Sequence, residues 1–413
     1  MTEAPLCRFC RAPLTHTFLD LGRQPLANSY LTADELASGR EQSYPLHVRV
    51  CDRCFLVQAD DAVPPQAIFD AGYAYFSSHA SSWVEHARRY AQAMITRFGL
   101  GPDSLVVEVA SNDGYLLQHF AATDIPVLGI EPAANTAEAA RARGVPTEVM
   151  FFNDRTGCEL AARGVRADLM AANNVLAHVP DIADFVAGFR HVLKDEGVLT
   201  FEFPHLLNLI EKVQFDTIYH EHFSYLSLLV GEQVLRANGL RPFDVERLAT
   251  HGGSLRLFVC HMGSGRAETD ALRRLRADEA AAGLDRIATY RGFTPRVEAV
   301  REDFRAFLAT ARGEGRCVAA YGAAAKGNTF LNYCGTTSAD VVCAFDVSPA
   351  KQDRFLPGSH IPVRSPRALR EVRPDYLLIL PWNLQEEIVG QHAYIREWGG
   401  RFVMASPQVR VLS

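Results

Sequence analysis

The chain has 413 residues, 48% hydrophobic and 22% charged, an ordinary composition for a folded protein of about two to four domains. A net charge of −6 excludes the basic field that nucleic acid requires, and no stretch approaches the roughly 18 apolar residues that cross a bilayer. The start, MTEAPLCRFC, lacks the basic-then-apolar order of a secretory leader, so a cytoplasmic location is expected.

The first elements are two CxxC pairs, Cys7 with Cys10 and Cys51 with Cys54. Each pair lets two thiolates approach one ion from a tight turn, and two pairs close a four-sulfur zinc site with no open position. Its expected role is structural, supplying folding energy to a segment with little core of its own. Residues 11–50 exceed the usual zinc-ribbon spacing, so an insertion is expected between the knuckles.

The stretch SLVVEVASNDGYLLQHF reads as a strand ending in Glu108, a polar turn with Ser111, Asn112, Asp113 and Gly114, and a helix. That order opens a doubly wound sheet, which binds ligands at the carboxyl ends of its strands. It resembles the first motif of class I S-adenosylmethionine-dependent methyltransferases, although the turn holds a single glycine. A sulfonium ligand carries no phosphate, so few glycines suffice. The next strand, VLGIEP, ends in Glu131, about 20 residues downstream, where a carboxylate suits the ribose hydroxyls. In EVMFFND, Phe151, Phe152 and Asn153 stand where an adenine would stack or hydrogen-bond, and ADLMAANNVLAHVPD reads as a fourth strand carrying Asn173, Asn174 and His178 into a loop. A helix cap is the plain reading of the two asparagines.

QFDTIYHEHFSYLS packs Tyr219, His220, Glu221 and His222 together. In a helical turn Tyr219 and His222 share a face; in extended chain Tyr219 pairs with Glu221 and His220 with His222. Zinc-binding helical pairs use i, i+4 histidines, so a metal site is the weaker reading of this i, i+2 pair. HGGSLR, from His251 to Arg256, is a tight turn open to close backbone approach. Residues 267–311 read as helical, with apolar positions Phe293, Val297, Val300, Phe304, Phe307 and Leu308 spaced by threes and fours, until Gly313 and Gly315 break the pattern.

CVAAYGAAAKGNTFLNY is a second strand, small-residue turn and helix. Lys326 near a helix start suits a pyrophosphate, and Asp346 and Asn383 end the following strands, with Lys351 close by.

Taken together, the two CxxC knuckles, VASNDG, YHEH, HGGSLR and YGAAAKGN occur in an order that resembles the nucleotide-sugar C-methyltransferases, particularly the deoxysugar C-3 methyltransferases of antibiotic biosynthesis. The resemblance implies an α/β protein of three domains. These are a zinc-binding module over 1–72, a class I Rossmann-like methyltransferase domain over 73–250, and a second Rossmann-like domain over 251–413 with a helical lead-in, which takes a TDP-linked sugar through Tyr321, Lys326, Asn328, Asp346, Lys351 and Asn383. It implies adenosylmethionine at Glu108, Ser111, Asn112, Gly114, Glu131, Phe152, Asn153 and Asn173, and a catalytic set of Tyr219, Glu221 and His222, with His178 and Tyr73. A monomer without nucleic-acid or membrane partners is expected. Carbon accepts a sulfonium methyl only as an enolate beside a carbonyl, so a 4-keto sugar deprotonated at carbon 3 is the expected substrate. His222 is the expected base, Tyr219 the donor to the developing oxyanion, and Glu221 the residue that orients a histidine or binds a sugar amino group. The competing readings are O- or N-methyl transfer on a nucleotide sugar, a NAD-dependent sugar-nucleotide oxidoreductase, and a zinc-ribbon binding module with degenerate enzyme domains.

Overall fold

The computed structural model describes residues 4–61, 63 and 76–412. Tyr73 lies outside the described residues.

The first sheet is antiparallel: β1 (His16–Gln24), β2 (Tyr44–Val50) and β3 (Val57–Ala59). The knuckles share one geometry. Cys7 N–H donates to Ala12 O and Arg11 N–H to Cys7 O, matched by Cys51 N–H to Leu56 O and Phe55 N–H to Cys51 O. Arg11 and Phe55 have φ of 61° and 64°, which curls each turn back beneath its sulfurs. The insertion between the knuckles supplies β1, β2 and a short helix, Ala33–Ser38, closed by a Thr32–Glu35 capping box.

The central sheet has seven strands: β4 (Val106–Val109), β5 (Val127–Ile130), β6 (Thr147–Glu148), β7 (Ala167–Asn173), β8 (Leu193–Pro204), and a hairpin that follows a detour. On that detour, β9 (Ser224–Tyr225) pairs with β3 and becomes the fourth strand of the first sheet. The hairpin β10 (Leu240–Leu248) and β11 (Ser254–His261) completes the order β10-β11-β8-β7-β4-β5-β6. Strands β4 to β8 run parallel and β11 is antiparallel to both its neighbours. The order reverses between β4 and β7, the crevice where such sheets bind ligands. The central sheet therefore runs to His261, and HGGSLR spans the end of the β10–β11 turn and the start of β11.

Helices Asp270–Ala282 and Phe293–Gly313 lead into the third sheet: β12 (Val318–Tyr321), β13 (Ala344–Phe345), β14 (Val363–Arg364), β15 (Tyr376–Ile379), β16 (Arg401–Met404) and β17 (Arg410–Leu412). Its order is β14-β13-β12-β15-β16-β17, parallel except for β17, with a second reversal between β12 and β15.

The first sheet has no independent core. Its Phe18, Leu46 and Val48 share one apolar cluster with Phe215, Phe293, Phe304 and Phe330. Phe18 stacks flat on Phe293 at 4.6 Å between ring centres. The four cysteines' surroundings, with Leu14 and Leu56, belong instead to the cluster of the central sheet. The zinc module is thus wedged against both larger units. Among the described residues no helix is long and apolar enough to cross a membrane.

Candidate active site

The metal centre is the simplest to build. The Cys7 and Cys54 sulfurs lie 3.6 Å apart, those of Cys10 and Cys51 3.4 Å apart, and all four within 4.8 Å. A tetrahedral zinc with bonds of about 2.3 Å sets its sulfurs about 3.8 Å apart, so the set fits one ion. Four thiolates this close repel one another unless a cation neutralises them. Gln58 Nε2 donates to Cys7 Sγ (3.2 Å) and steadies the cluster from outside.

At the central reversal, Glu108, next to last in β4, is fully buried, and burial drives its carboxyl well above the usual range. Glu131, just beyond β5, accepts Asn112 N–H and Ala133 N–H, each at 2.9 Å. Its carboxylate therefore clamps the polar turn and keeps a second lone pair on each oxygen for another donor. Ala110, Asn112 and Gly114 all take positive φ, so this turn exposes its backbone without a glycine at each bend. Ser111 Oγ, Asn173 Oδ1 and both amide ends of Asn174 are buried without a partner in the protein. Buried polar atoms without partners are costly, and their gathering at the β4/β7 crevice fits a polar ligand there. The asparagines are not caps: Asp181 caps the following helix, Ile182–Val192.

Two residues assigned to adenine have other work. Phe152 is buried against Phe189 and Phe185, at 4.6 and 5.9 Å between ring centres, while Phe151 is the exposed ring of the pair. Asn153 caps the helix Asp154–Ala162, its Oδ1 accepting Thr156 N–H at 2.9 Å.

The YHEH segment is a turn: His222 N–H donates to Tyr219 O at 2.9 Å. The rings of Tyr219 and His222 consequently lie against each other, tilted by 35° with centres 4.0 Å apart, and His178 meets His222 edge-on at 4.7 Å. His222 Nδ1 donates to Thr217 O at 2.7 Å. A carbonyl only accepts, so Nδ1 carries the hydrogen and Nε2 the lone pair. Burial, then the neighbouring His178, holds His222 well below the ordinary imidazole range, so it stays neutral. His220 points elsewhere, to Pro45 O at 3.2 Å and against Tyr44, and packs the turn onto the first sheet. Among the described residues the Glu221 carboxylate is held by Asn28, whose Nδ2 donates to its Oε1 at 2.6 Å.

From the third sheet, Lys326 Nζ donates to Asn383 Oδ1 at 2.5 Å and sits 4.4 Å from the Trp382 ring centre. Its ammonium bears on both His222 and His251. Asp346 accepts Ala323 N–H (2.7 Å) and Ser348 N–H (2.8 Å), repeating the Glu131 clamp in the second unit. Lys351 Nζ donates to Ala323 O at 2.7 Å, and Tyr321 is buried against His392. Asn328 turns inward, donating to Ala27 O at 2.6 Å.

Two participants were missed although their segments were singled out. Asp216 is buried, accepts the Trp382 indole N–H at 2.6 Å, and is raised to about 6 by burial against the pull of Lys326. His251 adopts φ 52° beside Gly252 and Gly253, with its ring 5.2 Å from Trp83 and Nε2 buried without a partner. A Cβ on Gly252 would collide with Trp382 and Gln214, so glycine is what lets the β10–β11 turn meet the third unit. Asn28 had no local signal at all.

Burial holds His178 and His251 at about 4, against 6.5 in an unfolded chain. Between those values the unfolded state binds protons that the folded state does not, so stability falls as pH drops from about 6.5 to 4. Melting temperatures measured across that window should decline, and His178→Asn should flatten the slope; a flat wild-type profile would contradict the assignment.

Family models match in three places: a zinc binding domain over residues 7–69, a methyltransferase domain over 83–244, and a C-methyltransferase C-terminal domain over 249–407. The C-methyltransferase NovU of Streptomyces niveus is 36% identical over 407 residues, 98% of this chain and 96% of the relative. The ubiquinone biosynthesis O-methyltransferase of Rhodopseudomonas palustris is 22% identical over 157 residues, 33% of this chain and 62% of the relative. Magnesium protoporphyrin IX methyltransferase of Synechocystis, solved with bound SAH, covers 43% of this chain and 83% of its own at 15% identity and a TM-score of 0.35. The chain belongs to the S-adenosylmethionine-dependent C-methyltransferases that join a zinc-binding module to a methyltransferase domain and a C-methyltransferase C-terminal domain.

Proposed function

We propose that the chain methylates carbon 3 of a TDP-linked 4-keto deoxysugar, with a 3-amino sugar as the favoured substrate and His222 as the base. One observation carries the reading: a neutral, buried imidazole whose Nδ1 is tied to Thr217 O, so that Nε2 holds a lone pair between Tyr219 and His178. Bound adenosylmethionine supplies an electrophilic methyl group on sulfonium. Glu108, Ser111, Asn112, Gly114, Glu131 and Asn173 line its crevice, and Asn174 joins them. Nε2 of His222 takes the proton from carbon 3, the electron pair moves onto the 4-carbonyl oxygen, and the Tyr219 hydroxyl donates to that oxygen. The enolate carbon would then bond to the methyl carbon as the methyl–sulfur bond breaks, with that bond's electron pair left on sulfur. Burial supports the step twice, by keeping His222 unprotonated and by strengthening the Tyr219 hydrogen bond. Lys326, Asn383, Asp346, Lys351 and Tyr321 hold the nucleotide portion at the second crevice, next to the β12 loop.

Tyr219→Phe should lower turnover by about 10²–10³ with little change in adenosylmethionine affinity. Steady-state rates and calorimetry check this; an unchanged rate would leave Tyr219 a packing residue. Carbon NMR of the product should carry a methyl on a quaternary carbon, and a methoxy or N-methyl signal would overturn the reading.

A further inference from the structure

The insertion between the zinc knuckles does more than fill space. Residues 27–31 leave β1 and run along the seam between the catalytic turn and the second nucleotide-binding loop. Four contacts fix them there. Asn328 Nδ2 donates to Ala27 O at 2.6 Å, Tyr30 Oη to Ala323 O at 2.5 Å, and Leu31 bridges to Phe355 in both directions. At the other side of the seam, the exposed Asn28 donates through Nδ2 to Glu221 Oε1 at 2.6 Å. Lys351, which also donates to Ala323 O, lies 5.2 Å from the Tyr30 ring centre. The loop thus grips the backbone of residue 323 and the carboxylate of residue 221 together.

We propose that residues 27–31 form a wall of the sugar site and that Asn28 is a positioning residue, aiming the Glu221 carboxylate at the substrate. The geometry favours this over simple packing. A carboxylate has free rotation about its last bond, and the Asn28 amide is the one side-chain donor that fixes it among the described residues. Two neighbouring residues anchored at 2.5 and 2.6 Å leave Asn28 little freedom to miss. Asn28 lies at the open side of the seam, where a sugar substituent would enter, while Glu221 is set deeper. Among the described residues, Tyr30 and His178 are the titratable side chains that bear on Glu221, with Tyr219 and His222 beside it in the turn. This inference rests on the proposed role of Glu221 and deepens it: the zinc module contributes to the reaction centre itself.

A double-mutant cycle on the zinc-loaded, full-length enzyme tests it. Asn28→Ala should reduce kcat/KM by about ten-fold, the scale of one hydrogen bond to a charged group at a partly exposed site. It should also move the acid limb of the kcat/KM profile to higher pH, because the amide stabilises the carboxylate against the burial that raises it. Asn28→Ser, which keeps a short donor, should recover part of both effects. In a Glu221→Gln background Asn28→Ala should cost less than two-fold and shift nothing. Zinc content and melting temperature, unchanged across the set, separate aiming from folding. Near-wild-type kcat/KM in Asn28→Ala would overturn the proposal. So would an equal loss in both backgrounds of an impaired Glu221→Gln enzyme, which leaves the Glu221 role standing. Full activity in Glu221→Gln would overturn that role and the proposal with it.

Discussion

His222→Asn will cut kcat by about 10²–10⁴, the range for loss of a general base, while adenosylmethionine affinity stays within a few-fold. The asparagine amide can still donate to Thr217 O, so the turn that His222 N–H makes with Tyr219 O should persist. What disappears is the basic Nε2. Because burial lowers this imidazole's affinity for protons, the wild-type base stays active below pH 6.5 and is lost only as pH falls through its depressed value. Initial rates with calorimetric titration of the methyl donor check the claim. Near-wild-type turnover would remove His222 from the mechanism.

Removing zinc will cost more still. Structural zinc contributes about 10 kcal/mol or more in small modules, as much as the entire stability of an ordinary domain. Here the first sheet has little apolar interior apart from what it shares with Phe293, Phe304 and Phe330. Chelation, or Cys7→Ser with Cys51→Ser, should therefore unfold the module and abolish turnover. The route from the metal to the chemistry is short: β9 pairs with β3 two residues after His222, and His220 is held by Pro45 O. Zinc analysis, circular dichroism melts and rates on the same samples test it. A zinc-free chain with unchanged melting and full turnover would contradict the structural role.

The fold was legible where local chemistry repeats. The knuckles announced a closed metal site, and two strand–turn–helix starts announced two doubly wound sheets, because each pattern is short-range. The β10–β11 hairpin was not legible. HGGSLR reads as a tight turn, but nothing in it says that the strand after it inserts antiparallel between β8 and β10. Within the site, Tyr219 and His222 were recoverable from spacing once a helical turn was chosen over extended chain. The roles of His220 and His222 separated only in three dimensions, since one ring faces the first sheet and the other faces His178. An aromatic after a strand signals stacking and core equally well, and Phe152 packs against Phe185 and Phe189. Asn28 and Asp216 were invisible because their partners, Glu221 and Trp382, are 193 and 166 positions away.

Proton exchange at carbon 3, measured in deuterated buffer without any methyl donor, tests the central claim most directly. With a TDP-4-keto deoxysugar and S-adenosylhomocysteine, the wild-type enzyme should wash deuterium into carbon 3, and His222→Asn should slow that exchange by at least about 10². Exchange at the wild-type rate in His222→Asn would contradict the account.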